Sequence, residues 1–128
     1  MLEYIKVSTY ADVRGVDVKV WVEDDKLHYS VSSLETSIKD NVSDMKCEDL
    51  ENKLKKVNIL GWARNYEPKG YFVLDGTSWT VKYKSTDTKI IRSSGDNAWP
   101  REWALLLKVL QAVTGGIDYF DESDIELE

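Results

Sequence analysis

Hydrophobic and polar residues alternate along the first third of the chain. Valine occupies every second position of residues 16–22, a period of two that is typical of a half-buried β-strand. The same alternation runs through residues 4–9 and 27–31, and Asp24-Asp25 is a turn-forming pair between two of these stretches. The sequence therefore predicts three strands, with residues 16–33 forming a hairpin.

The middle of the chain changes to a helical period. Residues 35–43 are polar, and Asn41, Ser43 and Asp44 form a cluster that is typical of a helix start. From Met45 onward, apolar side chains recur at spacings of three and four, which places them on one face of a helix. We therefore predict an amphipathic surface helix that ends near Gly61. Its apolar face carries Cys47, Leu50, Leu54 and Val57.

The second half repeats this order of strands and helix. A short apolar strand at residues 71–74 precedes Asp75-Gly76, a strong hairpin signal. Alternation over residues 78–83, a turn, and residues 89–93 predict two more strands. The last apolar stretch, Pro100 to Val113, predicts a buried helix that Gly115-Gly116 ends. The order βββαβββα indicates an α+β fold, an antiparallel sheet of about five to six strands packed by two helices.

Charge divides the chain into two parts. Six of its 23 acidic residues and no Lys or Arg lie in residues 118–128, so the remaining 17 acidic residues balance the 17 basic ones. We expect residues 1–117 to form a single globular domain and residues 118–128 an acidic C-terminal tail. A neutral body disfavours direct nucleic-acid binding, unless its cations cluster in space. The tail is either a solvated terminus or an anionic arm for a basic partner; the acids expected to make that contact are Asp121, Glu122 and Asp124.

Cysteine content and hydropathy bear on location. The one cysteine excludes an intramolecular disulfide, and the chain does not open on a signal-peptide pattern. No apolar run approaches the roughly 18 residues of a membrane helix. We expect a cytoplasmic protein that is not inserted in a membrane.

The sequence contains no recognisable catalytic constellation. His28 is the only histidine, so a metal site built from several histidines is excluded and we expect no metal or cofactor. Cys47 has no signature of a nucleophile around it and is expected to face the core. The loop at residues 94–97 combines residues that could hold an anion, but Asn97 is expected to cap the last helix instead.

The chain contains five tryptophans, a high number for 128 residues. A core of this size is not expected to bury all of them fully, so we expect some to be exposed. Trp79 and Trp103 are predicted to be structural. Exposed aromatic side chains mark protein-binding surfaces or stacking platforms. On these grounds the candidate binding residues outside the tail are Trp21, Trp62, Arg64 and Tyr66.

Two motifs in the second half carry a resemblance. Asp75-Gly76-Thr77-Ser78-Trp79 and the run Ser94-Gly95-Asp96-Asn97-Ala98-Trp99-Pro100 stand before a closing apolar helix. This arrangement is similar to that of small uncharacterised bacterial proteins with Asp-Gly-x-x-Trp and Ser-Gly-x-Asn-x-aromatic-Pro motifs. The resemblance covers about residues 71–114, with Trp99 where Tyr or Phe is more frequent. It implies a fold for the second half and no activity.

Together these features favour a non-catalytic function. We expect a small acidic bacterial or phage-type protein that binds another protein, as inhibitors, immunity proteins and regulatory subunits do, through its aromatic surface and acidic tail. A small-ligand or carbohydrate binder that uses exposed tryptophans is the alternative. A small enzyme whose carboxylates cannot be paired from the sequence is the third hypothesis. The oligomeric state is left open.

Overall fold

A computed structural model describes residues 1–11, 14–34, 36–67 and 77–116, with the side chains of Ala11 and Arg14 left out. Seven strands and two α-helices lie within these ranges. In chain order they are β1 (Leu2–Ala11), β2 (Arg14–Glu23), β3 (Lys26–Ser32), β4 (Ser37–Val42), α1 (Cys47–Val57), β5 (Asn65–Tyr66), β6 (Thr77–Ser85), β7 (Ile91–Asp96) and α2 (Trp103–Val113).

The described strands form one sheet in the order β4-β3-β2-β1-β6-β7-β5. All neighbours are antiparallel except β5 and β7, which run parallel. The α+β class predicted from the sequence is confirmed. The predicted antiparallel sheet of five to six strands matches only roughly, because the observed sheet is mixed and has seven strands.

The β2–β3 hairpin forms where the alternation predicts it. Asp24 and Asp25 both have positive φ, at 52° and 60°, as both central residues of a type I′ turn require. The turn sets the register so that Val20 opposes Tyr29 and Trp21 opposes His28. Side chains of each opposed pair therefore lie on the same face of the sheet.

The polar segment before the first helix differs from the prediction. Its residues form β4, an edge strand paired with β3, and α1 begins only at Cys47 rather than at Met45. Most side chains of β4 are exposed, and charged residues such as Lys39 and Asp40 are typical of an edge strand, where they discourage pairing with another chain. The helix ends at Val57, where Asn58 adopts a left-handed conformation and a short 3₁₀ turn, Ile59–Gly61, follows.

Both helices bury their apolar faces against one side of the sheet. Alternate residues of the central strands, among them Ile5, Val20 and Val81, join the helical residues in one hydrophobic core. At the end of α2, Gly115 and Gly116 have positive φ, which confirms the predicted helix stop. The buried residues of the helices are Leu50, Leu54, Val57, Trp103, Leu106, Leu107, Val109, Leu110 and Val113.

Two sequence predictions fall outside the described residues. These are the strand at residues 71–74 with its Asp75-Gly76 turn, and the acidic tail at residues 118–128. Neither described helix has both the length and the apolar composition that crossing a bilayer requires.

Candidate functional site

Among the described residues, one face of the sheet is buried beneath the helices and the other carries exposed and half-buried side chains. Along β1, Ile5 and Val7 are fully buried while Lys6 between them is exposed. Along β6, Trp79 and Val81 are buried while Thr80 and Lys82 are exposed. We call the side that carries the exposed residues the open face.

Four basic side chains lie in register across the open face. Lys6 of β1 opposes Lys19 of β2 on one side and Lys82 of β6 on the other, and Lys82 opposes Arg92 of β7. All four are exposed. None of them has an acidic partner within 4.0 Å among the described residues. We call these residues the cation row.

An aromatic pair lies beside the cation row on the same face. Tyr4 opposes Trp21 in the β1–β2 ladder, and Trp21 is half-buried. The Lys19 ammonium lies 5.8 Å from the Tyr4 ring centroid and 5.5 Å from that of Trp21, within the range of cation–π attraction. Trp21 also stacks on His28, with ring centroids 5.7 Å apart. The rings of this pair are therefore already in contact with neighbouring side chains.

His28 joins three strands at the end of the open face. Its Nδ1 lies 2.8 Å from a carboxylate oxygen of Asp40 in β4, and its Nε2 lies 3.6 Å from a carboxylate oxygen of Glu23 in β2. The hydrogen bond with Asp40 is the main cause of a raised pKa of His28, with the charge of Glu23 adding to it. One carboxylate near each ring nitrogen suits an imidazolium better than a metal ligand, because a coordinating nitrogen must be free of its proton.

The structure separates the predicted binding residues instead of bringing them together. Trp62 and Tyr66 lie on the helix side, where their ring centroids are 6.0 Å and 5.7 Å from that of the buried Trp79. The indole N–H of Trp62 donates to the Val57 carbonyl at 3.2 Å. Arg64, between them, is exposed. Trp21 is on the open face, and Asp121, Glu122 and Asp124 lie outside the described residues.

The tryptophans are more buried than the sequence suggested. Trp79 and Trp103 have no exposed area, as predicted for structural residues, and Trp21, Trp62 and Trp99 are half-buried. The expectation that the core does not bury all five fully is therefore confirmed, but none of the five is fully exposed. They are accommodated by packing on one another: the centroids of Trp79 and Trp103 are 4.8 Å apart, and Trp62 lies 6.4 Å from Trp103.

The loop before α2 has a different role from the one predicted. Asn97 does not cap α2, which has no side-chain cap, but accepts a 2.9 Å hydrogen bond from the backbone N–H of Thr77 at the start of β6. The Asn97 N–H donates in turn to the Thr77 carbonyl. Pro100 lies three residues before the helix start, and β7 extends to Asp96. These two hydrogen bonds thus extend the pairing of β6 with β7 to its last residues, Thr77 and Asn97.

Cys47 has the character of a structural thiol. It is half-buried at the start of α1, and its Sγ donates to the Asp25 carbonyl at 3.5 Å. Burial raises the pKa of the Cys47 thiol. Because the thiolate is the reactive form, a raised pKa disfavours nucleophilic chemistry here.

Sequence reasoning did not single out the cation row. The alternation places Lys6, Lys19 and Lys82 on the polar side of their strands, but only the register of four strands aligns them. The sequence argument against nucleic-acid binding assumed that the cations are dispersed over the body. On the open face they are aligned, so that argument does not apply there.

Comparison with protein-family models, with curated proteins and with solved structures yielded no match to this chain.

Proposed function

We propose that this protein is a non-catalytic protein-binding module of the inhibitor, immunity or regulatory-subunit type, and that a partner protein docks on its open face. The observation that carries the proposal is the cation row, which is exposed and has no acidic partner among the described side chains. An alignment of like charges across neighbouring strands costs stability by itself. A partner that supplies the opposite charge would offset this cost.

The character of the open face supports a protein ligand over a small one. Small-molecule sites are concave and enclose most of their ligand, whereas these side chains stand on the surface of a sheet. The carbohydrate alternative requires a free aromatic face for stacking, and Trp21 already contacts Lys19 and His28. Aromatic residues and Arg are enriched at protein interfaces, and the open face carries Tyr4, Trp21 and Arg92.

The raised thiol pKa of Cys47 and the pairing of His28 with two carboxylates give little support to the enzyme hypothesis. We propose that the protein acts in the cytoplasm of a bacterial or phage-infected cell. The single cysteine, which excludes an internal disulfide, is compatible with a reducing compartment. The proposal also includes the acidic tail, as a second element that changes the association rate of charged partners.

Site-specific photo-crosslinking tests this proposal. A photoreactive residue replaces Thr80, which is exposed on the open face beside the cation row, or Lys53, which is exposed on α1. We expect Thr80 to give a discrete crosslinked protein band in lysate of the source cells, competed by unlabelled protein, and Lys53 to give none. Absence of a band from Thr80, or a competed band from Lys53 alone, would contradict the proposal.

A further inference from the structure

We propose that the partner contributes an acidic, extended polypeptide segment that lies across the strands along the cation row. This inference rests on the proposed function and specifies the chemistry of the partner at the same surface.

Four acidic side chains of the sheet have hydrogen-bond or ion-pair partners outside the cation row. Asp17 accepts a hydrogen bond from Ser8 at 2.5 Å, and Glu3 pairs with Lys84 at 2.5 Å. Glu23 and Asp40 both lie against His28. Among the described residues, the four aligned cations therefore have no anionic neighbour within 4.0 Å. An external anion would relieve their mutual repulsion.

The dimensions of the row suit an extended peptide. Four adjacent strands separated by about 4.8 Å each give a row about 14 Å long. In an extended segment, side chains on one face repeat every ~6.8 Å, so three acidic residues at alternate positions span about the same length. The row thus matches a segment of about five residues.

A polypeptide fits the open face better than a single-stranded nucleic acid. Nucleic acids gain much of their affinity from bases that stack on free aromatic rings, and Trp21 and Tyr4 already contact Lys19. The six negative charges of residues 118–128 also repel a phosphate chain. A peptide with Glu at alternate positions carries about half the charge of an oligonucleotide of equal length, so the tail repels it less.

Fluorescence polarisation on the full chain tests the inference. The probe is a labelled peptide of about nine residues with Glu at alternate positions; a peptide with Gln in place of Glu and a labelled oligothymidine of equal length are the comparison ligands. The variant K6Q/K82Q removes the two central charges of the row. The control K53Q/K55Q removes the same charge from exposed positions of α1.

We expect the Glu peptide to bind, and the Gln peptide and the oligothymidine to bind at least about fivefold more weakly. K6Q/K82Q should lose about tenfold in affinity, which converts to about 1.4 kcal/mol in total, or about 0.7 kcal/mol for each of the two exposed ion pairs. K53Q/K55Q should change affinity less than twofold. Equal loss in both variants, binding unaffected by K6Q/K82Q, no binding of the Glu peptide, or tighter binding of oligothymidine would overturn the inference.

The two proposals fail separately. A Thr80 crosslink to a partner that persists in K6Q/K82Q would leave the proposed function standing and reject the acidic segment. Peptide binding that depends on the cation row without any Thr80 crosslink would reject the proposed docking of a cellular protein and retain the anion-binding surface.

Discussion

The indole N–H of Trp79 donates a 2.7 Å hydrogen bond to the backbone carbonyl of Ala98. Trp103, packed 4.8 Å away centroid to centroid, is equally buried, but its indole N–H has no hydrogen-bond partner among the described residues. Two neighbouring tryptophans of the same core thus differ in one hydrogen bond.

This difference predicts unequal costs for the same substitution. Trp79→Phe removes the donor to the Ala98 carbonyl and should lower the free energy of unfolding by about 1–2 kcal/mol more than Trp103→Phe, which removes an N–H that is already unpaired. Truncation of either residue to Ala should cost about 3–5 kcal/mol, because both fill the core. Urea unfolding of the four variants measures this order. A larger loss for Trp103→Phe would contradict it.

Gly95 allows β7 to approach the same indole. A Cβ built on Gly95 would lie 2.6 Å from Nε1 of Trp79 and 2.5 Å from the Ala98 carbonyl oxygen, too close for either to remain in place. We predict that Gly95→Ala destabilises the fold by about 1–3 kcal/mol, as overpacking does. Ser94→Ala, at the neighbouring position, is the control and should cost less than about 1 kcal/mol. A Gly95→Ala protein as stable as the control would show that the close approach to Trp79 and Ala98 does not require glycine at this position.

The pairing of His28 predicts a pH dependence. The hydrogen bond to Asp40 raises the pKa of His28 above its usual 6.5 in the folded protein. Stabilisation by this pair is therefore complete below about pH 6.5 and is lost as the pH rises through the folded-state pKa. Urea unfolding between about pH 5.5 and 8.5 should show stability falling toward high pH relative to His28→Gln. Parallel profiles of the two proteins would rule out this contribution.

The acidic tail should weaken the binding of acidic ligands. Deletion of residues 118–128 removes six negative charges and, if the open face binds an acidic segment, should strengthen Glu-peptide binding at low salt. The difference should vanish near 0.5 M salt, where charges are screened within about 4 Å. If the natural partner is basic instead, the same deletion should slow its association at low salt. Stopped-flow association rates across salt concentrations distinguish these two directions.

The sequence predicted the local elements where side-chain period and turn chemistry agree. Local sequence favours a single structure in three places: a strand for the valines of β2, a tight turn at Asp24-Asp25, and a helix for the apolar stripe of α2. It missed β4 because residues 37–42 are polar and an edge strand requires only pairing with β3. It also missed β5, since two residues pairing in parallel with β7 leave no periodic signal.

The candidate site was less predictable than the fold. Trp62 and Tyr66 looked like surface residues because they follow a helix in a polar connector, and only tertiary packing places them against Trp79. The cation row depends on the pairing of β1 with β6, which are separated by more than half of the chain. Long-range register of this kind is set by the whole core and not by any local segment.

The most direct test of the open face as the binding surface is an NMR titration of isotope-labelled protein with the Glu peptide. We predict that the largest amide and side-chain shift changes occur at Lys6, Lys19, Lys82 and Arg92 and their strand neighbours, and that exposed residues of α1 such as Lys53 stay unchanged. Shift changes confined to α1 or to the connector that carries Trp62 and Arg64, or no changes at peptide concentrations well above that of the protein, would contradict the account.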